Sequence, residues 1–422
     1  MKKIQINNFE ENLFYEKLDN GLEVYMVPLP YKKNYFAFFG TKFGGIDLDF
    51  KINDKEVKVP SGVAHFLEHK LFEQDETPFE FYSKTGTDVN ASTSYNYTGY
   101  YFAGNNSFYP NLKYLLNWIT NFNITDKQVE KEKGIILEEA RMYLDKPNRV
   151  LYEKIKENTL FNNNYSKKII GSLEEIKNIT KEDLYLCYNN FYTPNNMFII
   201  ITGAFDAEKT INIIKEELKD FKNNKEEVTK IIKEEPDKVK KEYEEIVLPV
   251  ENTKVAISYK VNKSLFKLDN KFYLDGYLHM IFSLTFGGTS AFKEYLFNNE
   301  LFISFDYNIT DIGTHYLIEF FITTNKEKEI IKEIEEFISN IKNINLKEED
   351  FTRIIKTWIA SEIRTIDNTN ATLYNILDDI LEYKSFVYDS IKHKKNLNFN
   401  TMIEVLNDID FSNKSILVIK NE

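Results

Sequence analysis

The sequence predicts an α+β protein made of two similar halves. Three observations lead to this fold class: a hairpin pattern near the start, alternating strand and helix patterns, and a charged central segment followed by a fainter copy of the first half. The length of 422 residues also exceeds what one hydrophobic core usually serves. We therefore predict a first domain over residues 1–220, a linker over 221–245 and a homologous second domain over 246–422.

The first half begins with sheet and continues with alternating elements. Two strand-like runs, FYEKL and LEVYMVP, flank Asn20 and Gly21, a dipeptide that suits a tight antiparallel hairpin. Residues 62–72 have the pattern of a helix, and Thr77-Pro78 predicts its end or a turn soon after. The segment STSYNYTGYYFAG then favours a strand, whereas DKQVEKEKGIILEEARMYLD has the apolar spacing of a helix.

The composition changes between residues 221 and 245, where Lys and Glu dominate and apolar residues are scarce. We interpret this segment as the linker; a solvated surface helix joined to the first domain is the alternative. After it, the helical segment 278–286 can be laid over 64–72. The overlay places His279 on His65, Phe282 on Glu68 and Ser283 on His69. In this alignment only the first half retains a metal-binding pattern.

Composition limits the classes of partner. The formal net charge of -12 disfavours nucleic acid and anionic membranes, because both require a basic surface. No segment approaches the run of about 18 apolar residues that spans a membrane, and the start lacks the apolar region of a signal peptide. The single cysteine, Cys187, forms no internal disulfide and is expected to be an inert thiol. We therefore expect a cytoplasmic protein.

The strongest chemical pattern is His65-Phe66-Leu67-Glu68-His69. On a helix, His65 and His69 lie one turn apart on one face, about 5 to 6 Å between their Cβ atoms, which suits chelation of one Zn²⁺. Glu68 lies beside them and can act as the base that activates a water molecule whose pKa the cation lowers to about 7. A chance cluster is the alternative, although it would be rare among five histidines.

Zinc needs a third protein ligand, and the acidic helix around residues 130–142 offers candidates. Glu132 and Glu139 are seven residues apart and share a helix face with Ile135 and Ile136, whereas Glu138 is rotated about 100° from Glu139. A carboxylate on a core-facing stripe is costly unless it is paired or bound to metal. An ordinary amphipathic helix with a solvated acidic side explains the pattern equally well.

These residues resemble the pitrilysin/insulinase family of zinc peptidases (M16), in particular its small bacterial and mitochondrial-processing-peptidase-like members. HFLEHKLFE is similar to the family's zinc helix, EKGIILEE to its third-ligand helix, and residues 171–205 to the end of its first domain. The resemblance implies that Glu139 is the third ligand and that Glu132 fixes the ligands. It also implies the LuxS/MPP-like metallopeptidase fold, in which each half is a mainly antiparallel sheet packed with helices.

The resemblance further implies how substrate binds. NASTSYNYTGYYF is similar to the edge strand that an extended peptide joins, which makes Asn90, Ala91 and Thr93 predicted substrate-binding residues. Without the neighbouring zinc motif, a plain strand of the sheet would explain this segment. In the second half the family often has an Arg and a Tyr that hold the substrate carbonyl; here Phe297 is near the expected Arg and Tyr307 near the expected Tyr.

The motif and the resemblance together imply a zinc-dependent endopeptidase; the resemblance implies that it cleaves unstructured peptides bound as an added strand inside a closed chamber. Loss of one oxyanion donor can cost about 100-fold to 1000-fold in turnover, so the missing Arg predicts a dimer, and specifically a heterodimer with a homologous subunit that lacks HxxEH. The alternative function is a catalytically inactive scaffold or binding subunit of a peptidase assembly. The remaining histidines, His279, His315 and His393, are expected to be structural or exposed.

Overall fold

The computed structural model describes residues 1–73 and 76–421. They form two compact units, each assembled from separate stretches of the chain. Unit 1 contains Met1–Ala140, Lys167–Ile231 and Ser361–Ser390. Unit 2 contains Arg141–Ser166, Ile232–Ala360 and the chain from Ile391 onward. The units are thus discontinuous in sequence, unlike the two continuous domains that we predicted.

Strands and helices alternate along the described chain. The strands are β1 Lys2–Gln5, β2 Asn12–Lys17, β3 Glu23–Pro28, β4 Tyr35–Thr41, β5 Asp49–Ile52, β6 Lys55–Lys58, β7 Asp88–Thr93, β8 Thr98–Gly104, β9 Met197–Gly203, β10 Val228–Lys230, β11 Tyr243–Val247, β12 Thr253–Asn262, β13 Ser304–Asp311, β14 His315–Thr324 and β15 Lys414–Lys420. The α-helices are α1 Val63–Phe72, α2 Pro78–Ser83, α3 Phe108–Thr120, α4 Asp126–Leu144, α5 Pro147–Thr159, α6 Leu173–Asn178, α7 Lys181–Phe191, α8 Ala207–Glu217, α9 Lys271–Phe286, α10 Ala291–Asn298, α11 Glu327–Asn340, α12 Glu348–Ile366, α13 Thr369–Tyr383, α14 Ser390–Lys395 and α15 Phe399–Asp408.

Unit 1 is built on a seven-stranded sheet with the order β1-β2-β3-β9-β4-β8-β7. Neighbouring strands are antiparallel except β3 and β9, which are parallel. Side chains alternate between the two faces: Tyr100 of β8 packs on Trp118 of α3, whereas Tyr101 belongs to the core that contains α13. Strand β7 ends the sheet, and α1 packs beside it.

Helix α13 comes from far along the sequence but completes the core of unit 1. Its apolar residues Leu373, Ile376, Leu377 and Ile380 are buried against the sheet, with Phe36, Phe38, Phe198 and Ile200. The side chain of Thr202 on β9 also donates a hydrogen bond of 2.9 Å to the carbonyl of Thr369 at the start of α13. One face of the sheet therefore depends on a segment from the C-terminal part of the chain.

Unit 2 contains a five-stranded sheet with the order β11-β15-β12-β14-β13. This order repeats the arrangement β3-β9-β4-β8-β7 of unit 1, including one parallel pair at the same place, β11 with β15. One face packs on α9, α11 and α15 around Phe282, Phe286 and Phe320. The other face packs on α5. The prediction of an α+β fold with two similar, mainly antiparallel halves is confirmed.

The charged segment 221–245 contains the two short strands β10 and β11 and no helix. Strand β10 pairs with β5 in unit 1, and β11 pairs with β15 in unit 2. The alternative interpretation of this segment as a surface helix is therefore wrong. Across the described chain, none of the helices combines the length and the apolar character that crossing a membrane requires.

Candidate metal centre

Helix α1, which carries the histidine pair, is fixed at its first turn by two glycines. Gly62 precedes the helix with a positive φ of 94°, and a Cβ atom there would lie 2.4 Å from the carbonyl oxygen of Ile170. Gly171 has a φ of 90°, and its added Cβ would lie 2.5 Å from the carbonyl oxygen of Ser61. The two backbone segments approach so closely that only glycine fits at these two positions without strain. This close contact fixes the start of α1.

His65 and His69 face the same side of α1, and their ring centroids lie 4.6 Å apart. Across from them, Oε2 of Glu139 on α4 lies 3.9 Å from Nε2 of His65 and 3.6 Å from Nε2 of His69. One ligand atom from each of the three residues lies within 4.8 Å of the others. Two imidazole nitrogens and one carboxylate oxygen are the ligand set of a catalytic zinc site, which leaves a fourth position for water or substrate.

The structure distinguishes the three candidate carboxylates on α4. Glu139 joins the histidines, and Glu138 is exposed. Glu132 is buried, with 8% of its surface exposed, and its Oε1 lies 3.0 Å from Nδ1 of His69. Our expectation that Ile135 and Ile136 both line the buried face of this helix is half wrong: Ile136 is buried, whereas Ile135 is 49% exposed.

Glu132 fixes the orientation of His69. An ionised carboxylate can only accept hydrogen bonds, so Nδ1–H of His69 donates to Glu132 and Nε2 is left as the ligand atom. Burial would raise the pKa of Glu132, but the hydrogen bond from His69 and the charge of Lys70 outweigh it and hold this pKa below its ordinary value. Burial would lower the pKa of His69, but the hydrogen bond and charge of Glu132 raise it.

Lys70 is a residue of this site that the sequence did not reveal. It is 1% exposed, its Nζ lies 3.5 Å from Oε2 of Glu132, and it forms an ion pair with Glu73. Burial is the main reason that its pKa lies below the ordinary value. The only signal in the sequence was a lysine placed directly after the second histidine, and its partner Glu132 lies 62 residues away.

Glu68 connects the candidate metal ligands to the edge strand. The hydroxyl of Thr93, the last residue of β7, donates a hydrogen bond to Oε2 of Glu68. Burial is the main cause of a raised pKa of Glu68, although the Thr93 hydrogen bond and the charge of His69 act in the opposite direction. A half-buried carboxylate with a raised pKa, placed beside a candidate metal site, suits proton transfer.

The other predicted substrate-binding residues fall into two groups. Asn90 and Ala91 lie on β7, and the backbone N–H of Ala91 donates to the side-chain oxygen of Asn90 at 2.9 Å. Tyr307 lies on β13 in unit 2, with its hydroxyl 3.3 Å from Oγ of Ser283. Phe297, at the place of the expected Arg, is 67% exposed in unit 2. The structure thus brings together the predicted residues of α1, α4 and β7.

The fold and this site define a metallopeptidase-like protein: it has two similar sheet-and-helix halves, and one half carries two histidines and a carboxylate that could hold a metal, with the carboxylate of Glu68 beside them. Comparison with known proteins agrees. The sequence model described as "Insulinase (Peptidase family M16)" matches residues 55–173, and the one described as "Peptidase M16 inactive domain" matches residues 178–357. The chain belongs to the M16 family of peptidases.

Three relatives illustrate the similarity. The zinc protease YmfH of Bacillus subtilis is 37% identical over 302 residues, which cover 70% of each chain. The mitochondrial-processing peptidase subunit beta of Dictyostelium discoideum is 28% identical over 169 residues, 38% of this chain and 36% of that protein. The crystal structure of an M16-like peptidase from Alicyclobacillus acidocaldarius superposes with a TM-score of 0.92 at 25% identity, covering 98% of this chain and 99% of that chain.

Proposed function

We propose that this protein is a zinc-dependent endopeptidase that cleaves unstructured peptides bound as an added strand along β7, inside a closed chamber. The observation that carries this proposal is the hydrogen bond between Thr93 on the edge strand and Glu68. Glu68 would move the proton in catalysis. Its hydrogen bond to Thr93 places it next to both the candidate metal ligands and the strand that a substrate would join. His65, His69 and Glu139 would hold the zinc ion.

When bound, zinc supplies a Lewis acid that lowers the pKa of a coordinated water molecule to about 7. Glu68 accepts a proton from the attacking water and delivers it to the leaving amine, a transfer for which its raised pKa is suited. Glu132 holds His69 in the tautomer that presents Nε2.

Among the described strands, β7 pairs only with β8, so the other edge of β7 is available for an added strand. The N–H of Ala91 bonds to Asn90 rather than to β8, so it points toward this edge. When a peptide joins β7, one of its backbone carbonyl oxygens would accept the hydrogen bond from the N–H of Ala91 in place of Asn90. Recognition through backbone groups selects an extended conformation more than a particular sequence.

We further propose that the active form is a dimer, and specifically a heterodimer with a homologous subunit that lacks HxxEH but supplies the missing Arg. Two observations support a partner: exposed Phe297 stands where the family often has this Arg, and one relative is named as the beta subunit of a peptidase. A cytoplasmic location is consistent with the single buried thiol of Cys187, which needs no oxidising compartment.

The test combines metal analysis with cleavage. The purified chain should contain about one zinc ion as measured by mass spectrometry of metals, and a His65→Ala variant should lose it. A Glu68→Gln variant should retain zinc but lose at least about 100-fold in cleavage of quenched fluorescent peptides. Glu216→Gln, which removes an equal charge from an exposed side chain of α8, is the matched control and should retain both properties.

The partner proposal needs a second comparison. Activity of the chain alone is compared with activity after addition of a homologous subunit without HxxEH; a large rise supports the heterodimer, whereas a fully active homodimer contradicts it. Absence of zinc and of cleavage in both samples would instead support the alternative function, an inactive scaffold subunit.

A further inference from the structure

Unit 2 contains a counterpart of the candidate metal centre that keeps a histidine at only one of the two histidine positions, His279 over His65. Helices α9 and α12 correspond to α1 and α4, because they occupy the same places in the repeated order of elements and α12 has the same length as α4, 19 residues. In the overlay of α9 on α1, Ser283 takes the place of His69. The seventh residue of α4 is Glu132, and the seventh residue of α12 is Ile354, so an apolar side chain takes the place of this carboxylate.

A cavity of about 410 Å³ lies at this place in unit 2, which we name the unit 2 cavity. Its wall contains the end of α9 with Ser283, residues Phe305 and Tyr307 of β13, and Arg353 and Trp358 of α12. The volume lies within the range of about 300 to 1,000 Å³ that is typical of small-ligand sites. The described structure offers no histidine in this wall, so its chemistry differs from that of unit 1.

Two cations contribute to the unit 2 cavity. Nζ of Lys293 donates to the carbonyl oxygen of Phe305 at 2.9 Å and lies 5.2 Å from the centre of the Phe305 ring. Arg353 donates from Nη1 to Thr289 at 3.1 Å and from Nη2 to Asp350 at 3.0 Å, which leaves other N–H donors of the guanidinium for a ligand.

Two acidic residues lie near these cations: Asp350 pairs with Arg353, and Asp306 of β13 is part of the cavity wall. Asp306 alternates with Phe305 and Tyr307 along the strand, so its side chain points to the opposite face of the sheet. There its charge raises the pKa of Tyr152 on α5, after the larger effect of burial. In a protein with a net charge of -12, a cavity that carries Lys293 and the remaining N–H donors of the Asp350-paired Arg353 favours an anionic group.

We propose that the unit 2 cavity binds a carboxylate group of a peptide. Arg353 and Lys293 hold the carboxylate, the hydroxyl of Tyr307 donates a further hydrogen bond, and Trp358 packs against the neighbouring apolar side chain of the ligand. That the ligand is a peptide rests on the proposed peptidase function. The carboxylate comes from the C-terminus of the peptide or from an Asp or Glu side chain, two sources with the same recognition chemistry.

The test measures binding to the full-length, zinc-loaded chain with the Glu68→Gln change, which prevents cleavage of the probe. Three peptides labelled at the N-terminus with fluorescein share one neutral sequence: one has a free C-terminal carboxylate, one is amidated, and one is amidated with an internal Glu. At least one carboxylate peptide should bind about tenfold more tightly than the neutral amide in fluorescence anisotropy, because hydrogen bonds to charged groups contribute this much or more. Which peptide binds tightly identifies the source of the carboxylate.

Variants then locate the site. Arg353→Gln and Lys293→Gln should each remove most of the tenfold preference without changing the affinity of the neutral amide, and Arg353→Lys should restore part of it. Lys332→Gln, at an exposed position on α11, is the matched control and should retain the full preference. Circular dichroism checks that each variant is folded.

Equal affinity of the three peptides, or a preference that survives both glutamine variants, overturns the inference. The outcome is independent of the proposed function, which is measured separately as cleavage by the chain that retains Glu68. Cleavage without a carboxylate preference contradicts only this inference. A carboxylate preference without cleavage contradicts only the proposed activity.

Discussion

Removal of the Glu132 carboxylate should weaken zinc binding although Glu132 is not itself one of the three ligands. Its Oε1 accepts the Nδ1 hydrogen of His69 at 3.0 Å, and only 8% of the residue is exposed. Glu132→Gln keeps the shape and a neutral acceptor but removes the charge; Glu132→Ala removes both. A charge-assisted hydrogen bond is about twice as strong as a neutral one, so the effects should differ between the two variants.

The expected magnitudes follow from that contact. The glutamine variant should lose about tenfold in zinc affinity, about 1.4 kcal/mol, and the alanine variant should approach the 100-fold loss found when such supporting partners are removed. Lys70 keeps its ion pair with Glu73 in both variants, so the fold should persist. Glu130→Gln removes the same charge from a 70% exposed side chain on the same helix and serves as the control.

Competition with a chromophoric chelator at fixed pH gives the zinc dissociation constant of each variant, and urea unfolding of the metal-free chains checks stability. The expected order of affinity is wild type, Glu132→Gln, Glu132→Ala, with Glu130→Gln equal to wild type. If Glu132→Ala binds zinc within twofold of wild type while Glu139→Gln binds it far more weakly, the hydrogen bond to His69 has no role in metal affinity and the reasoning fails.

Three further predictions concern unit 1. Thr93→Val should retain zinc but lower kcat for peptide cleavage about tenfold, because Glu68 loses its hydroxyl donor; unchanged kcat would show that this contact is dispensable. Gly62→Ala should lower the free energy of unfolding by at least about 2 kcal/mol in urea titrations, whereas Gly134→Ala, where an added Cβ meets nothing, should not. The pKa of Asp378 is raised to about 6, mainly by burial and then by Glu382, so the folded state binds its proton more tightly than the unfolded chain. The stabilisation that comes from protonated Asp378 is complete below pH 3.8 and is lost as the pH rises to about 6. The melting temperature of Asp378→Asn should therefore rise relative to that of wild type over this pH range. An equal pH dependence of the two melting temperatures would contradict this prediction.

The metal-binding helix could be predicted from the sequence because its information is local. A spacing of four residues places His65 and His69 on one face of any α-helix, whatever surrounds it. The choice among the carboxylates of α4 needed the resemblance to a family, since helical phase alone left Glu132 and Glu139 equivalent. The burial of Lys70 could not be predicted, because its partner comes from another helix.

Long-range packing explains the remaining differences between the fold predicted from the sequence and the fold of the structure. The position of α13 in the core of unit 1 depends on contacts between Leu373 and its neighbours and a sheet formed more than 150 residues earlier, and no local pattern indicates it. Likewise, the charged segment 221–245 resembles a linker or a solvated helix, because β10 and β11 are short and mostly exposed. Their pairing with β5 and β15 is a property of the folded sheets rather than of their own residues.

The repeated strand order shows how one architecture can support two kinds of site. In both halves a helix packs beside the edge strand and a 19-residue helix follows later in the chain, so the same place in the fold is formed twice. Which chemistry it has depends on few side chains: His69 and Glu132 in unit 1 correspond to Ser283 and Ile354 in unit 2. Because the scaffold forms from strand pairing and core packing, these positions can change without loss of the fold. The metal centre and the unit 2 cavity are therefore separate predictions, and each can fail without the other.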